Sequence, residues 1–283
     1  MNRKVGVIYS NILMVVEIFS TMLFTPFLIR TLGQAEYGVY QLVTSLTSYL
    51  VLLDLGVGNS VIRYVAKYRA DNDIQAQKKF LGVTTIYYLL IAFVALGIST
   101  VILVLFPTVF AKGLSAEEVQ LAEKLFSITM CAVAFSLGTS AFSNTVIAYE
   151  RFSVSKGTVI ILTVLKILMS VVALKLGFGS MGIVIVNFCI TILTRSIYVV
   201  YVLFILKIRP SFKKVEFSYV KEIASFSSFV LLQMVASQIN AMSDQVLLGI
   251  FAKGASVIIG IYGVGAQVLQ YFKTIGSHFT SVL

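Results

Sequence analysis

Charged residues are scarce in this sequence of 283 residues. Asp, Glu, Lys and Arg make up 12% of it, whereas 58% is hydrophobic and the mean hydropathy is +0.96. Soluble globular domains carry about 25% charged residues. With half of that charge the chain cannot cover its surface with water-facing side chains. The composition therefore excludes a soluble globular protein and predicts a protein embedded in lipid.

Residues and motifs for metal, disulfide and nucleotide chemistry are also few. His278 is the single histidine, which leaves no histidine cluster for a metal site, and Cys131 and Cys189 lie in apolar stretches, as packed thiols do. The sequence contains no G-x-x-x-x-G-K-[ST] loop and no H-E-x-x-H motif. We therefore predict no cofactor, no metal and no enzymatic activity.

Eight apolar runs follow one another along the chain, each long enough to cross a bilayer, which takes about 20 residues. No long polar domain interrupts them. The sequence therefore predicts an all-α, polytopic membrane protein with about eight transmembrane helices, at Val5–Ile29, Val39–Val61, Phe80–Phe106, Leu121–Ala148, Thr158–Leu176, Met181–Leu206, Ile223–Phe251 and Val257–Phe279.

Basic residues are unevenly divided between the two sets of connecting loops. If the N-terminus is cytoplasmic, fourteen of the 22 Lys and Arg residues fall on the cytoplasmic side, five on the outer side, and Lys166, Arg195 and Lys273 within spans. Cytoplasmic loops of membrane proteins carry such an excess. The distribution predicts a cytoplasmic N-terminus, and it accounts for the net charge of +10 without nucleic acid as a partner.

A polar connector, residues 207–222, contains Pro210 and four lysines. We interpret it as a cytoplasmic linker between a six-helix lobe, residues 1–206, and the first two helices of a second lobe, residues 223–283. A weak internal repeat supports this division, although chance similarity between apolar segments is the alternative. Its two copies are Leu32-Gly33 with Tyr37-Gly38-Val39-Tyr40, and Lys253-Gly254 with Ile259-Gly260-Ile261-Tyr262.

Distinctive short motifs lie in the first quarter of the chain: Pro26-Phe27-Leu28, Arg30-Thr31-Leu32-Gly33, Tyr37-Gly38-Val39-Tyr40, Leu52-Leu53-Asp54-Leu55-Gly56-Val57-Gly58 and Arg63-Tyr64-Val65-Ala66. With them the chain resembles the polysaccharide flippase family, within the multidrug, oligosaccharidyl-lipid and polysaccharide exporter superfamily. The run from Ser225 to Tyr262 is similar to the seventh and eighth helices of that family.

This resemblance implies two six-helix lobes around a central cavity that opens alternately to either side of the bacterial cytoplasmic membrane. It also implies movement of an undecaprenyl-pyrophosphate-linked oligosaccharide from the inner to the outer leaflet. Membrane lipids and other polysaccharide-assembly membrane proteins are the implied partners. Family members carry four or more further helices, so we expect this chain to be the N-terminal part of a longer protein, with a truncated second lobe.

Five spans carry a polar stripe with one charge, and a charge at mid-membrane costs about 2.5–3.5 kcal/mol unless it faces a polar surface. Helical spacing places each set on one face, so five such helices predict a hydrated cavity. The stripes are Ser10, Glu17 and Thr21; Thr163, Lys166 and Ser170; Asn187, Thr191, Thr194, Arg195 and Tyr198; Gln233, Ser237, Asn240 and Asp244; and Tyr262, Gln270, Lys273 and Ser277.

The candidate substrate-binding residues are the charges of these stripes and two amides: Arg195, Lys166, Lys273, Glu17, Asp244, Asn240 and Gln233. Three cations against two acids suit a pyrophosphate or an acidic sugar better than a cationic drug, and arginine favours bidentate contact with phosphate. The alternative is purely structural pairing, of Arg195 with Glu17 or of Lys273 with Asp244. For Asp54 we expect helix capping or a pair with Arg63.

An ion-coupled multidrug exporter of the same superfamily is the main alternative function. It would need several acids lining the first lobe, whereas Glu17 is the one acid in the middle of spans one to six. A membrane enzyme would need a sizeable soluble loop with catalytic acids, and the loops here are short. The polar stripes argue against a scaffold without transport activity.

Cysteine labelling tests the predicted orientation in a full-length protein whose Cys131 and Cys189 are replaced by serine. A membrane-impermeant maleimide should label Ser115→Cys in intact cells, because that loop lies outside. It should label Lys213→Cys only after permeabilisation. The opposite pattern would show that the orientation is wrong.

Overall fold

The computed structural model describes residues 3–212, 235–237 and 243–282, with the side chains of 7–20, 22–212, 235–237 and 243–269. Regular structure in these residues is helical, as lipid requires of a chain that must satisfy its backbone polar groups internally. The elements are α1 (Arg3–Leu50), a 3₁₀ turn (Val51–Asp54), α2 (Val57–Ala70), α3 (Ile74–Phe110), α4 (Ala116–Gly138), α5 (Ser140–Ala148), α6 (Phe152–Lys175), α7 (Gly179–Val200), a π turn (Tyr201–Ile205), α8 (243–251) and α9 (Ala255–Val282).

The exterior of this bundle is apolar. Leu23, Phe93 and Val104 are each more than 70% exposed, which suits contact with lipid rather than water. Among the described residues, five segments are long and apolar enough to cross a membrane: Val7–Asp54, Ile74–Phe110, Ala116–Gly138, Phe152–Lys175 and Gly179–Ile205. The predicted all-α, polytopic membrane protein is confirmed. Most of the predicted seventh span lies outside the described residues.

α1 contains the first predicted span and the first half of the second, and these two parts meet at Gly33. The backbone there has φ 78° and ψ 167°, a conformation that glycine adopts without steric cost. Glu17 and Thr44 line one cavity, although a continuous helix would separate them by about 40 Å. The 48-residue helix is therefore a pair of packed arms that turn at Gly33.

The predicted second and fourth spans are each interrupted, so their prediction as continuous helices is wrong. Leu55 and Gly56 have φ 52° and 74° between the 3₁₀ turn and α2. Thr139 separates α4 from α5, and its hydroxyl donates to the Phe135 carbonyl at 2.7 Å. Such side-chain bonds compete with the helical backbone. Because α2 packs against α5, the two interruptions lie in the same part of the bundle.

α9 packs on α1 through closely approaching glycines. A side chain at Gly38 would collide with the Ser256 carbonyl, and one at Gly260 would lie 2.7 Å from an α1 carbonyl oxygen. Gly33 and Gly254, which precede these positions in the predicted repeat, both have positive φ. The two copies of the repeated motif therefore share backbone geometry and contact each other.

The first residues of the predicted linker lie against α3. The Ser211 N–H donates to the Lys78 carbonyl at 2.9 Å, Ile208 is buried, and a side chain at Gly82 would collide with the Ser211 backbone. These contacts hold the start of the linker on the first turns of α3. Residues 213–222 lie outside the described part of the chain.

Gly38→Ala should lower the thermal unfolding temperature of the detergent-solubilised full-length protein. The added methyl group meets a backbone carbonyl of α9, and overpacking of this kind costs roughly 1–3 kcal/mol. Gly97→Ala is the matched control, because that α3 glycine has open space around its Cβ position. Equal unfolding temperatures for the two variants would contradict the close α1–α9 contact.

Candidate functional site

Two adjoining cavities lie inside the bundle. The first, of about 590 Å³, is lined by α1, α4, α5, α6 and α7, and we call it the cationic cavity. The second, of about 450 Å³, lies between both arms of α1, α6, α7 and α9, and we call it the polar cavity. Thr163, Lys166 and Asn187 line both. The polar stripes predicted for α6 and α7 therefore face one continuous interior.

The cationic cavity takes its name from the charges on its wall. Among the described residues, its lining includes Lys156, Lys166 and Arg195 and no Asp or Glu. The remaining polar wall consists of hydroxyl and amide groups, from Ser136, Ser143, Asn144, Ser155, Thr163, Asn187, Thr191, Thr194 and Tyr198. Such a wall provides positive charge and hydrogen-bond donors together, which is the chemistry that binds a phosphate-like anion.

Two serine hydroxyls hold Arg195 at the wall of the cationic cavity. The guanidinium donates to Ser143 at 2.7 Å and to Ser136 at 2.5 Å. Both serines lie beside the interruption at Thr139, where α4 gives way to α5. Since a guanidinium has five N–H donors, these two bonds fix its orientation and leave donors for a ligand.

Asp54 also interacts with the charge of Arg195, more weakly than Tyr198 and Tyr88 do. Its carboxylate accepts hydrogen bonds from the Gly58 N–H at 3.2 Å and from the Tyr88 hydroxyl at 2.7 Å. Gly58 lies in the first turn of α2, so Asp54 bonds to the start of that helix, although the N-cap residue itself is Gly56 and has no side-chain capping bond. The Asn144 amide in turn donates to Tyr88 at 3.4 Å. This network connects the interrupted second span to the wall that carries Arg195.

Glu17 and Lys166 face each other in the polar cavity. Both line it, and their charges interact. The sequence suggests Arg195 as a structural partner of Glu17, whereas the charge found to interact with Glu17 is that of Lys166, on the neighbouring α6. One acid therefore offsets one base in the polar cavity.

Uncharged polar side chains form most of the remaining polar wall of this cavity. The Gln41 amide donates to the Tyr37 hydroxyl at 2.6 Å, and the Thr25 hydroxyl donates to Gln267 of α9 at 2.9 Å. Other lining groups of this kind are Ser20, Tyr40, Thr44, Thr163, Ser170 and Asn187. The wall can both donate and accept hydrogen bonds at many points.

Lys156 is a cavity residue that the sequence analysis missed, since its position near the start of a span placed it among the cytoplasmic basic residues. Its ammonium contacts the Ser10 hydroxyl of α1 and lies 5.5 Å from the centre of the Phe152 ring. The available signal was spacing, because Lys156 precedes Thr163 by seven residues, which is about two turns along one helix face. Ser136, Ser143 and Asn144 were missed because the fourth span was interpreted as plain apolar helix.

The remaining candidate residues lie either away from the two cavities or outside the residues that the structure describes. Asp244 is exposed on α8 and accepts a hydrogen bond from the Tyr262 hydroxyl. Gln233, Asn240 and the side chain of Lys273 lie outside the described residues, so their roles remain predictions. Within the described part, no group of three or more His, Cys, Asp or Glu side chains could hold a metal ion.

Solved structures share this fold at low sequence identity. A structure described as "protein A" has a TM-score of 0.74 and 14% identity over 96% of this chain and 61% of its own. A MOP superfamily transporter from Pyrococcus furiosus Vc1 (DSM3638) has a TM-score of 0.68 and 15% identity, over 95% of this chain and 62% of its own. A MATE protein in complex with MaD3S has a TM-score of 0.60 and 16% identity, over 95% of this chain and 65% of its own. This chain spans about three fifths of the length of these proteins.

The sequence itself identifies the family. The model of the polysaccharide biosynthesis protein family matches residues 6–283. The chain therefore belongs to that family and is a multi-pass membrane protein with the fold of MOP superfamily transporters. No match was found among curated proteins.

Double-mutant cycles should separate the two charge pairings. Glu17→Gln and Lys166→Gln should be coupled by roughly 0.5–3 kcal/mol in unfolding free energy, because their charges interact within one cavity. Glu17→Gln with Arg195→Gln should be additive within about 0.5 kcal/mol. The measurement is unfolding of the full-length protein in detergent. Strong coupling of Glu17 to Arg195 would show that the pairing described here is wrong.

Proposed function

We propose that the whole protein transports a lipid-linked oligosaccharide, with an undecaprenyl-pyrophosphate carrier, across the bacterial cytoplasmic membrane by alternating access. The cationic cavity is the observation that supports this most directly. Its described lining includes Lys156, Lys166 and Arg195 and no acid, inside a bundle whose exterior is apolar.

The physical problem in such transport is the charge of the diphosphate, which is far more costly to place in hydrocarbon than a polyprenyl tail. Lys and Arg side chains in a polar cavity offset that cost, while the tail remains in lipid. Arg195 suits this role because serine hydroxyls already orient its guanidinium, so less conformational entropy is lost on binding.

The proposed direction of transport depends on the predicted orientation. With a cytoplasmic N-terminus, the start of α6 lies on the cytoplasmic side, and Lys156 and Arg195 lie toward that side. A substrate assembled in the inner leaflet would then meet the cationic cavity first. In the whole protein, Lys273, Asp244, Asn240 and Gln233 would contribute to the same central cavity from the second lobe.

An ion-coupled multidrug exporter is the second candidate, supported by the likeness in fold to a MATE protein. Exporters of cationic drugs benefit from an acidic cavity. Here the one acid lining the two cavities, among the described residues, is Glu17, and Lys166 offsets it. The charge of the cavities therefore favours an anionic substrate.

The full-length gene should restore surface polysaccharide in a flippase-deficient strain, and Arg195→Gln should reduce it roughly tenfold or more, the cost of one lost charge-assisted contact. Lys175→Gln is the matched control, because Lys175 is an exposed cation in the last turn of α6. Immunoblotting of membranes should show equal insertion of all three proteins.

Two results would contradict the proposed function. One is full polysaccharide synthesis by Arg195→Gln. The other is failure of the wild type to complement while it confers resistance to cationic drugs, which would favour the exporter.

A further inference from the structure

Building on the proposed function, we infer that the lobe divides its substrate between the two cavities: the cationic cavity takes the diphosphate, and the polar cavity takes the first sugars. This assigns an orientation to the bound substrate and names Lys156 and Arg195 as diphosphate contacts and Gln41 and Thr44 as sugar contacts.

The charges of the cavities support this division. The described wall of the cationic cavity has three cations and no acid. Asp54 interacts with Arg195, but its carboxylate already accepts hydrogen bonds from Gly58 and Tyr88. In the polar cavity Glu17 offsets Lys166. A diphosphate therefore gains electrostatic energy from Lys156 and Arg195 in the first cavity and meets a compensated pair of charges in the second.

The chemistry of the polar cavity suits neutral sugars. Sugar hydroxyls both donate and accept hydrogen bonds, and so do the hydroxyl and amide groups of this wall. Tyr37 and Tyr40 add aromatic rings with polar tips. The bond from Gln41 to Tyr37 fixes the amide before a ligand arrives, and pre-organised polar groups of this kind determine specificity in ligand sites.

The positions of the charges along the helices give the orientation. Tyr198 of α7 donates to the Ser155 carbonyl at 2.8 Å, which places Arg195, one turn away, near the start of α6 and close to the level of Lys156. Lys166 lies ten residues farther along α6, or about 15 Å. The substrate would therefore extend along α6 from a diphosphate near Lys156 and Arg195, with its sugars following toward Lys166 and into the polar cavity.

Binding of farnesyl diphosphate, a polyprenyl diphosphate without sugar, separates the two cavities. With purified full-length protein, Lys156→Gln and Arg195→Gln should each weaken its binding roughly tenfold or more. Gln41→Ala and Thr44→Val should leave it within about twofold, yet reduce surface polysaccharide in the complementation assay. Lys175→Gln should change neither, and Lys156→Arg should retain binding because it keeps the charge.

Thermal unfolding of each variant shows whether it is folded. If Gln41→Ala does not fold, Thr44→Val, which preserves the shape of the side chain, still tests the polar cavity. Equal weakening of farnesyl diphosphate binding by variants of both cavities would overturn the division. So would normal polysaccharide levels with both Gln41→Ala and Thr44→Val. A wild type that neither binds farnesyl diphosphate nor complements would instead contradict the proposed function itself.

Discussion

The placement of Arg195 is the constraint around which the lobe is organised. A guanidinium inside a membrane-spanning bundle needs nearby hydrogen-bond acceptors and negative charge. Ser136 and Ser143 supply the acceptors at the α4–α5 interruption, and Asp54 adds a weaker interaction between charges. Asp54 in turn needs donors, and the first turn of α2 supplies one because the helix restarts there. The interruption before α2 thus leaves a backbone N–H for Asp54, and the serines on either side of the α4–α5 interruption accept from Arg195 with their side chains.

Sequence reasoning identified the helices and several cavity residues because both depend on local periodicity. The stripes on α6 and α7 predicted that Lys166, Asn187 and Arg195 face one interior, and they line the cavities. The sequence could not predict which charged residues pair, since Glu17 meets Lys166 only because the N-terminal arm of α1 packs on α6. That contact joins residues far apart in sequence, and no spacing rule encodes it.

The interruptions were missed for a different reason. Hydropathy averages over about 20 residues, and the segments around Asp54 and Thr139 remain apolar on that scale. What marks the interruptions is local, namely positive φ at Leu55 and Gly56 and a non-helical backbone at Thr139, with φ −104° and ψ 4°. An aspartate beside two glycines within an apolar run was the available clue, because such residues favour turns and caps over helix interiors.

A shared fold leaves the substrate open, since one architecture serves many chemistries, so the sign of the cavity charge has to decide. Lys156, which the sequence analysis assigned to a loop, determines the sign of that charge. With Lys166 offset by Glu17, Arg195 alone, facing Asp54, would leave the interior nearly neutral and suited to many ligands. With Lys156 on the wall, in contact with Ser10, the described cationic cavity keeps an excess of positive charge even after both acids are counted. That excess favours an anion over a cation, and the neighbouring hydroxyl-rich cavity adds the polar contacts that a glycan attached to such an anion requires.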